Sequence, residues 1–520
     1  MLRRLVVSLA SMVVLFLGGG LAAPAGEPPD PQKSLEQRVK ELEDQLDRLK
    51  KGMKTSPPAT KGTPAAEKPA EPEKPPNLFA PLSERIEITG EVRVRGEYRD
   101  VTDYKSNDGM NGTSSFTLLR VRLAVDAKVN DWLRGYVQIQ DSRTFGEESS
   151  TTADNSTSTL PAGKTHNTGV DLHQGYFDAK LNDFLAGLPL TLRAGRQEMQ
   201  LGSSRLVDTC DWGNAGRSFD GARLTWKDGG WEANLFATNI HEPMTPPQGN
   251  SSLPRTTEPW RTDIDTTFSG LHLTCKAIEN HTLDAYVYYR EIADQSVTGG
   301  EDMPTKYGDR EDFTYGARFL GKLGPADGGA VDYEGEAAMQ TGRYAFDDES
   351  AWMAVGRAGY TFGDWPLKPR LGLEYDYASG DKDPTDGKHG NFDDLFGTRH
   401  SVLGIADYTG RSNLQDCVAQ ASVKPTEKWI VMAEYHYFLL AQEKDWWYAS
   451  DLSHATASRD TTGDAGNQLG TEIDLQATYK LKNLDLSFGG AHFFAGQYVR
   501  EVTGRERDAN WLFLSATVKF

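Results

Sequence analysis

The chain has 520 residues, 56 of them basic and 75 acidic, for a net charge of -19; that balance excludes the basic surface a nucleic-acid partner needs. Its 52 glycines, 20 tyrosines, 21 phenylalanines and 11 tryptophans suit sheets with tight turns and interfacial aromatics. Three cysteines, Cys210, Cys275 and Cys417, with no Cys-x-x-Cys pair, suggest neither a disulfide framework nor a zinc site.

The first 25 residues, with basic Arg3 and Arg4, an apolar run from Leu5 to Leu17 and small residues before Gly26, read as a secretory signal peptide. No later segment has a long uninterrupted apolar run, so any membrane crossing is by strands. Residues 26–52 carry a short coiled-coil helix: Leu35, Val39, Leu42, Leu46 and Leu49 fall on a heptad seam, with Ser34 as the N-cap. Little more than two heptads supports either a solvated helix or a small oligomerising coil. Residues 53–85, with Pro57, Pro58, Pro64, Pro69, Pro72, Pro75, Pro76 and Pro81, form an extended periplasmic linker.

Residues 86–520 alternate strand and turn. About eighteen segments read as strands near the ~10 residues of a tilted membrane-spanning strand. Short connections at 130–131, 227–230, 277–281, 425–428 and 482–483 alternate with long polar ones at 142–169, 199–217, 239–266, 291–311, 379–413 and 441–469. A bacterial outer-membrane barrel has that rhythm, short periplasmic turns against long outer loops. The fold class is therefore all-β, a transmembrane antiparallel barrel of about eighteen strands. The last segment places Leu512, Leu514, Ala516, Val518 and Phe520 on one face, the lipid face of a closing strand. The expected partners are outer-membrane lipid and, through that terminal strand, the barrel-assembly machinery. The long segments 142–169 and 199–217 are expected to fold partly into the barrel mouth, because Trp212 and Phe219 need burial.

Parity assigns the lumen. Val92, Val94, Leu119, Val121, Leu123 and Val125 face lipid, which turns Arg93, Arg95, Arg120 and Arg122 inward. The same parity turns in Arg134, Arg193 and Arg223, and on later strands Glu334, Glu336 and Glu374. A basic arc opposite an acidic arc suits guidance of an anionic or hydroxylated solute, since the arginine fork binds carboxylates in pairs of hydrogen bonds. The same charges also suit mutual pairing that stiffens the wall.

At Gly195-Arg196-Gln197-Glu198, Asp211-Trp212 and Gly216-Arg217-Ser218-Phe219-Asp220-Gly221 the chain resembles the alginate export family of outer-membrane proteins. Further matches are the stretches 374–396, 472–481 and 492–499. The resemblance implies an eighteen-strand monomeric barrel with an electropositive constriction that passes an anionic polysaccharide. It also implies that Arg193, Arg196, Arg217 and Arg223 contribute to that constriction.

Other chemistry has less support. Asp381, Asp383 and Asp386 cluster in one outer loop and suggest a structural Ca2+, although their spacing is not that of an EF-hand. No other cofactor is expected. No nucleophile elbow or His-Glu-x-x-His pattern occurs, so no catalytic residue is assigned. Beside the saccharide channel stand two alternatives: a general diffusion porin, and a structural outer-membrane anchor tethered through its N-terminal coil. The protein is expected as a monomer or a coil-mediated oligomer.

Overall fold

The computed structural model describes residues 85–520, apart from 101–103, 105–112, 147–168, 183–186, 242–262, 298–305, 326–327, 451–454, 457 and 505–507. The expected signal peptide, coiled coil and linker lie outside the described residues.

Apolar residues on alternate positions give the wall its strands, because successive side chains point to opposite faces. In chain order these are β1 (Ile86–Arg99), β2 (Ser114–Lys128), β3 (Leu133–Phe145), β4 (Gly169–Lys180), β5 (Leu190–Gln197) and β6 (Ser218–Asp228). Next come β7 (Trp231–His241), β8 (Asp263–Cys275), β9 (His281–Val297), β10 (Lys306–Leu323), β11 (Ala330–Tyr344) and β12 (Asp347–Thr361). The last are β13 (Arg370–Ala378), β14 (Leu414–Thr426), β15 (Trp429–Leu440), β16 (Gln468–Lys480), β17 (Leu484–Ala495) and β18 (Ala509–Lys519). A seven-residue helix, α1 (Gln497–Thr503), joins the last two strands and ends on Gly504 at φ 65°, a left-handed C-cap.

Each strand pairs antiparallel with its chain neighbours, and β1 pairs with β18 from Glu91↔Lys519 to Arg99↔Trp511. That last pairing closes an eighteen-strand barrel. A two-residue segment, Lys388–His389, adds a short parallel pairing to Asp348 and Glu349 of β12. Among the described residues no helix is long and apolar enough to cross a membrane; the barrel crosses with strands. The outward faces carry Ile88, Leu373, Leu514 and Phe520, each more than half exposed, as a lipid-facing surface requires. Phe520 closes the seam: its N–H donates to Gly90 O at 3.0 Å and its carbonyl accepts from Gly90 N at 2.7 Å.

The alternation of turns and loops holds with two exceptions, both at the long-loop end. The long connection expected at 291–311 narrows to 298–305, because β9 runs on to Val297 and β10 begins at Lys306. Between β11 and β12 the connection is only the two-residue turn Ala345–Phe346, with Ala345 at φ 53°. Both flanking strands run on because Asp347, Glu349, Ala351 and Met353 continue the inward alternation without a break. The shortest barrel strands, β5 and β13, stop early for a different reason. The chain leaves each of them and turns inward, into the loops 198–217 and 379–413.

Candidate functional site

The barrel interior is crossed by chain. The 198–217 loop touches β1 and β2 on one side and β11 and β13 on the other, so it bridges the lumen. On the first side, Arg93 donates to the carbonyls of Asp211 at 2.6 Å and Gly213 at 2.8 Å. Arg95 donates to Trp212 O at 2.6 Å, and Arg120 to Asp211 O at 3.0 Å. Arg120 and Arg122 also pair with the Asp211 carboxylate at 2.9 and 2.8 Å. Burial pushes the Asp211 carboxyl up, but Arg120, Arg122 and Arg93 together outweigh it and hold the group well below the usual carboxylate range. Half of that side chain, 54%, is still open to the lumen, so the interaction is partly screened by solvent.

On the far side, Arg205 of the same loop meets Glu334 at 2.5 Å, Glu336 at 3.0 Å and Glu374 at 3.2 Å, all of them buried. The tip thus carries an acid to the basic arc and an arginine to the acidic arc. Trp212 stacks between the Arg95 guanidinium, 3.8 Å from its ring centroid, and the His400 ring at 3.9 Å.

His400 belongs to the second inserted loop, 379–413, and the two loops pair with each other. Val207 and Phe396 form a parallel bridge, with Asp208 N to Phe396 O and Phe396 N to Leu206 O both 2.9 Å. Arg217 donates to Phe396 O. Arg411 anchors this loop on Asp376 of β13 at 2.6 Å. Phe219, Phe268, Phe392, Phe396, Phe438, Trp447 and Phe493 lie in one buried apolar cluster, which gives the inserted loops a core of their own.

Of the arginines assigned by parity, Arg93, Arg95, Arg120 and Arg122 contact the inserted loop at Asp211, Trp212 and Gly213. These four are each at most 7% exposed, because the loop tip covers them. Glu334, Glu336 and Glu374 are buried with Arg205 in the same way. Two further positions depart from the lumen expectation. Arg196 lies three residues after Arg193, on the opposite face of β5, and Asp220 binds its fork at 2.7 and 2.8 Å. Arg217 sits on the loop and binds the second loop.

What stays open is a different set. Below the loop, towards the short-turn end, a cavity of about 500 Å3 is lined by Asp178, Lys180, Arg193, Gln200, Arg223 and Asn234, among others. Arg134, Asp178, Arg193 and Arg223 are successive cross-strand partners on β3 to β6. Asp178 accepts from Arg193 at 2.7 and 2.9 Å and from Arg134 at 2.7 Å. Arg193 also lies 3.9 Å from the Tyr176 ring centroid. Arg223 has no hydrogen bond or ion pair among the described residues, and its Nε is buried without a partner.

Sequence reasoning gave no interior role to the loop residues that organise this site: Arg205, His400, Arg411, and Asp211, which it used only as part of a family motif. The available signal was the apolar pair Leu206-Val207 beside Arg205, unusual for a solvated outer loop. The carboxylates of Asp381, Asp383 and Asp386 do not converge. Asp381 accepts from Asp383 N at 3.1 Å, Asp383 from Thr385 N at 3.0 Å, and Asp386 from Lys388 N at 2.8 Å, each within its own turn. Cys275 and Cys417 are free thiols on separate strands, the first buried and the second exposed.

The chain is similar in fold to outer-membrane porins of Pseudomonas aeruginosa. OccK5 (OpdH) aligns with a TM-score of 0.52 at 12% identity, over 85% of this chain and 100% of that one. OpdQ aligns at 0.53 and 12% identity, over 84% and 98%; OpdL aligns at 0.53 and 9% identity, over 84% and 98%. No curated protein matches. The alginate export family model matches residues 84–513. With its closed barrel, its inserted loops and a match over most of its length, the chain belongs to the alginate export family and is an outer-membrane channel protein.

Proposed function

We propose that this channel passes an anionic polysaccharide or saccharide, and that the cavity beside Arg193 and Arg223 is where the anion is held. Arg223 carries the reading. A half-buried guanidinium without a counter-ion is costly to keep, and a carboxylate-bearing solute would supply the missing charge through the planar fork. The basic arc covered by the loop serves positioning, and Arg193 with Arg223 serves recognition. In a narrow lumen the nearby wall outweighs distant charges, so the net charge of -19 does not set selectivity.

The test is reversal potential in planar bilayers under a salt gradient, followed by addition of polyuronate oligomers. Anion preference that shrinks as salt rises, with block by the oligomers, is the expected result. Equal block by neutral oligosaccharides would instead favour the general porin, and absence of conductance the structural anchor. A preference for cations at every salt concentration would overturn the anionic-solute reading.

A further inference from the structure

A second cluster lies on the acidic arc, in strands that take no part in the arginine cavity. Glu434 and His436 alternate on the inward face of β15, and Asp474 of β16 stands directly opposite Glu434. Ligand atoms of these three residues lie within 4.8 Å of one another, and all three are buried. Cross-strand pairing brings them together, because side chains on one face of adjacent strands are near neighbours.

The histidine is aimed. His436 Nδ1 lies 2.7 Å from Asp416 Oδ2 on β14. That contact fixes the ring and, in the neutral tautomer, places the proton on Nδ1 and a lone pair on Nε2. Nε2 has no hydrogen-bond partner, and the side chain is 3% exposed. It points at Asp474, with Oδ2 at 3.6 Å. Asp474 Oδ1 is likewise buried without a partner. A carboxylate behind the distal ring nitrogen is the usual support of a metal-bound histidine. Tetrahedral zinc with bonds near 2 Å spaces its ligand atoms roughly 3.3 Å apart. The Nε2–Oδ2 separation is already close to that, and side-chain rotation closes the rest.

The charge balance points the same way. Asp416, Glu434, Glu472 and Asp474 surround the one histidine, and among the described residues no lysine or arginine is ion-paired with any of them. On neighbouring strands the buried carboxylates Glu334 and Asp376 do have arginine partners. Here the wall also holds the second inserted loop: Ile405 N donates to Asp474 Oδ2 at 3.1 Å and Ala406 N to Glu472 Oε1 at 2.9 Å.

We propose that Glu434, His436 and Asp474 bind a divalent transition-metal ion, zinc by the chemistry of the donor set. Asp416 orients the histidine. The ion ties β15 to β16 and so steadies the segment around Ile405 and Ala406.

The experiment uses the full chain, unfolded in EDTA, refolded in detergent with Zn2+ or without it, and freed of loose metal by chelating resin. One equivalent of zinc per chain is expected by elemental analysis, with a thermal midpoint higher than that of the metal-free protein. His436→Gln and Asp474→Asn should each lose the bound metal and the shift. Asp416→Asn should weaken zinc binding about 10–100-fold, as loss of a supporting carboxylate does. If the variants refold poorly, Co2+ in the wild type supplies the second readout, a visible d–d absorption band that Zn2+ abolishes. Wild-type metal no higher than in His436→Gln, or the absence of that Co2+ band, would overturn the proposal and leave a protonated histidine between Asp416 and Asp474.

Discussion

Arg193 and Arg223 stand directly opposite each other on β5 and β6, like charges at a position where such pairing is destabilising. Asp178 answers Arg193 at 2.7 Å, and no described residue pairs with Arg223. The arrangement costs stability unless something else is bound there. It is the place where a solute carboxylate would find an unclaimed guanidinium.

Changing both residues to glutamate inverts that surface while leaving the lipid face and the inserted loops intact. The double variant R193E/R223E should reverse or abolish anion preference, read as a change of sign in reversal potential under a salt gradient. Arg223→Ala alone should weaken polyuronate block with little effect on open-channel conductance. Unchanged selectivity in the double variant would place the filter elsewhere.

Arg205 holds three carboxylates that have come from two strands. Replacing it with Met leaves Glu334 with its Arg318 and Arg357 contacts but strips Glu336 and Glu374 of this cation. Removing one partner from a buried charge group costs about 3–5 kcal/mol. The variant Arg205→Met should therefore unfold at lower urea and show larger, noisier conductance as the loop tip leaves its seat. Unaltered conductance would mean that the contacts of Asp211, Trp212 and the Val207–Phe396 bridge hold the loop without Arg205.

The wall was legible in the sequence and the interior was not. Inward and outward sides follow from residues such as Val94 and Arg95, because a lipid-facing strand must alternate and one apolar residue fixes its neighbours. Strand ends were less legible. Asp347 and Glu349 look like loop residues, yet they continue β12, since a lumen accepts charge as readily as a loop does. The inserted loops were foreseen only in part. Trp212 and Phe219 signalled burial for 199–217, and that loop does enter the lumen; most of its expected companion, 147–168, lies outside the described residues. Nothing local to Arg93 announces that a carbonyl from residue 211 will cover it. Such a contact joins positions 118 residues apart, and parity carries no information about what fills the space inside.

The seam between the first and last strands is tight enough to test. A side chain at Gly90 would run into the Phe520 ring. Gly90→Val should push that ring aside and weaken the Gly90–Phe520 backbone pair, while the rest of the β1–β18 register stays. We expect slower refolding into detergent and reduced heat resistance on semi-native gels, with Gly90→Ala milder than Gly90→Val. Wild-type behaviour of both variants would show that closure does not depend on the last residue.

The contact between Asp211 and the basic arc sets a pH dependence whose sign can be worked out. Its carboxyl is held below the usual range once the guanidiniums of Arg120, Arg122 and Arg93 outweigh burial. A carboxylate depressed in the folded state contributes stability that is fully present above its unfolded pKa, about 3.9, and is lost as pH falls through the lower folded value. Between pH 8 and pH 5 this contact should not titrate. Channel current attributable to the loop tip should be flat across that window and should change only in stronger acid. Asp211→Asn removes the charge at every pH. It leaves Arg120 with Glu91 at 2.6 Å and leaves the carbonyl contacts of Arg93 and Arg95 in place, so the loop should loosen without leaving. At neutral pH the variant should therefore show the altered conductance that the wild type shows only in strong acid. A wild-type channel whose conductance already changes between pH 7 and pH 5, with Asp211→Asn showing the same change, would assign the titration to another group and remove Asp211 as the holding charge.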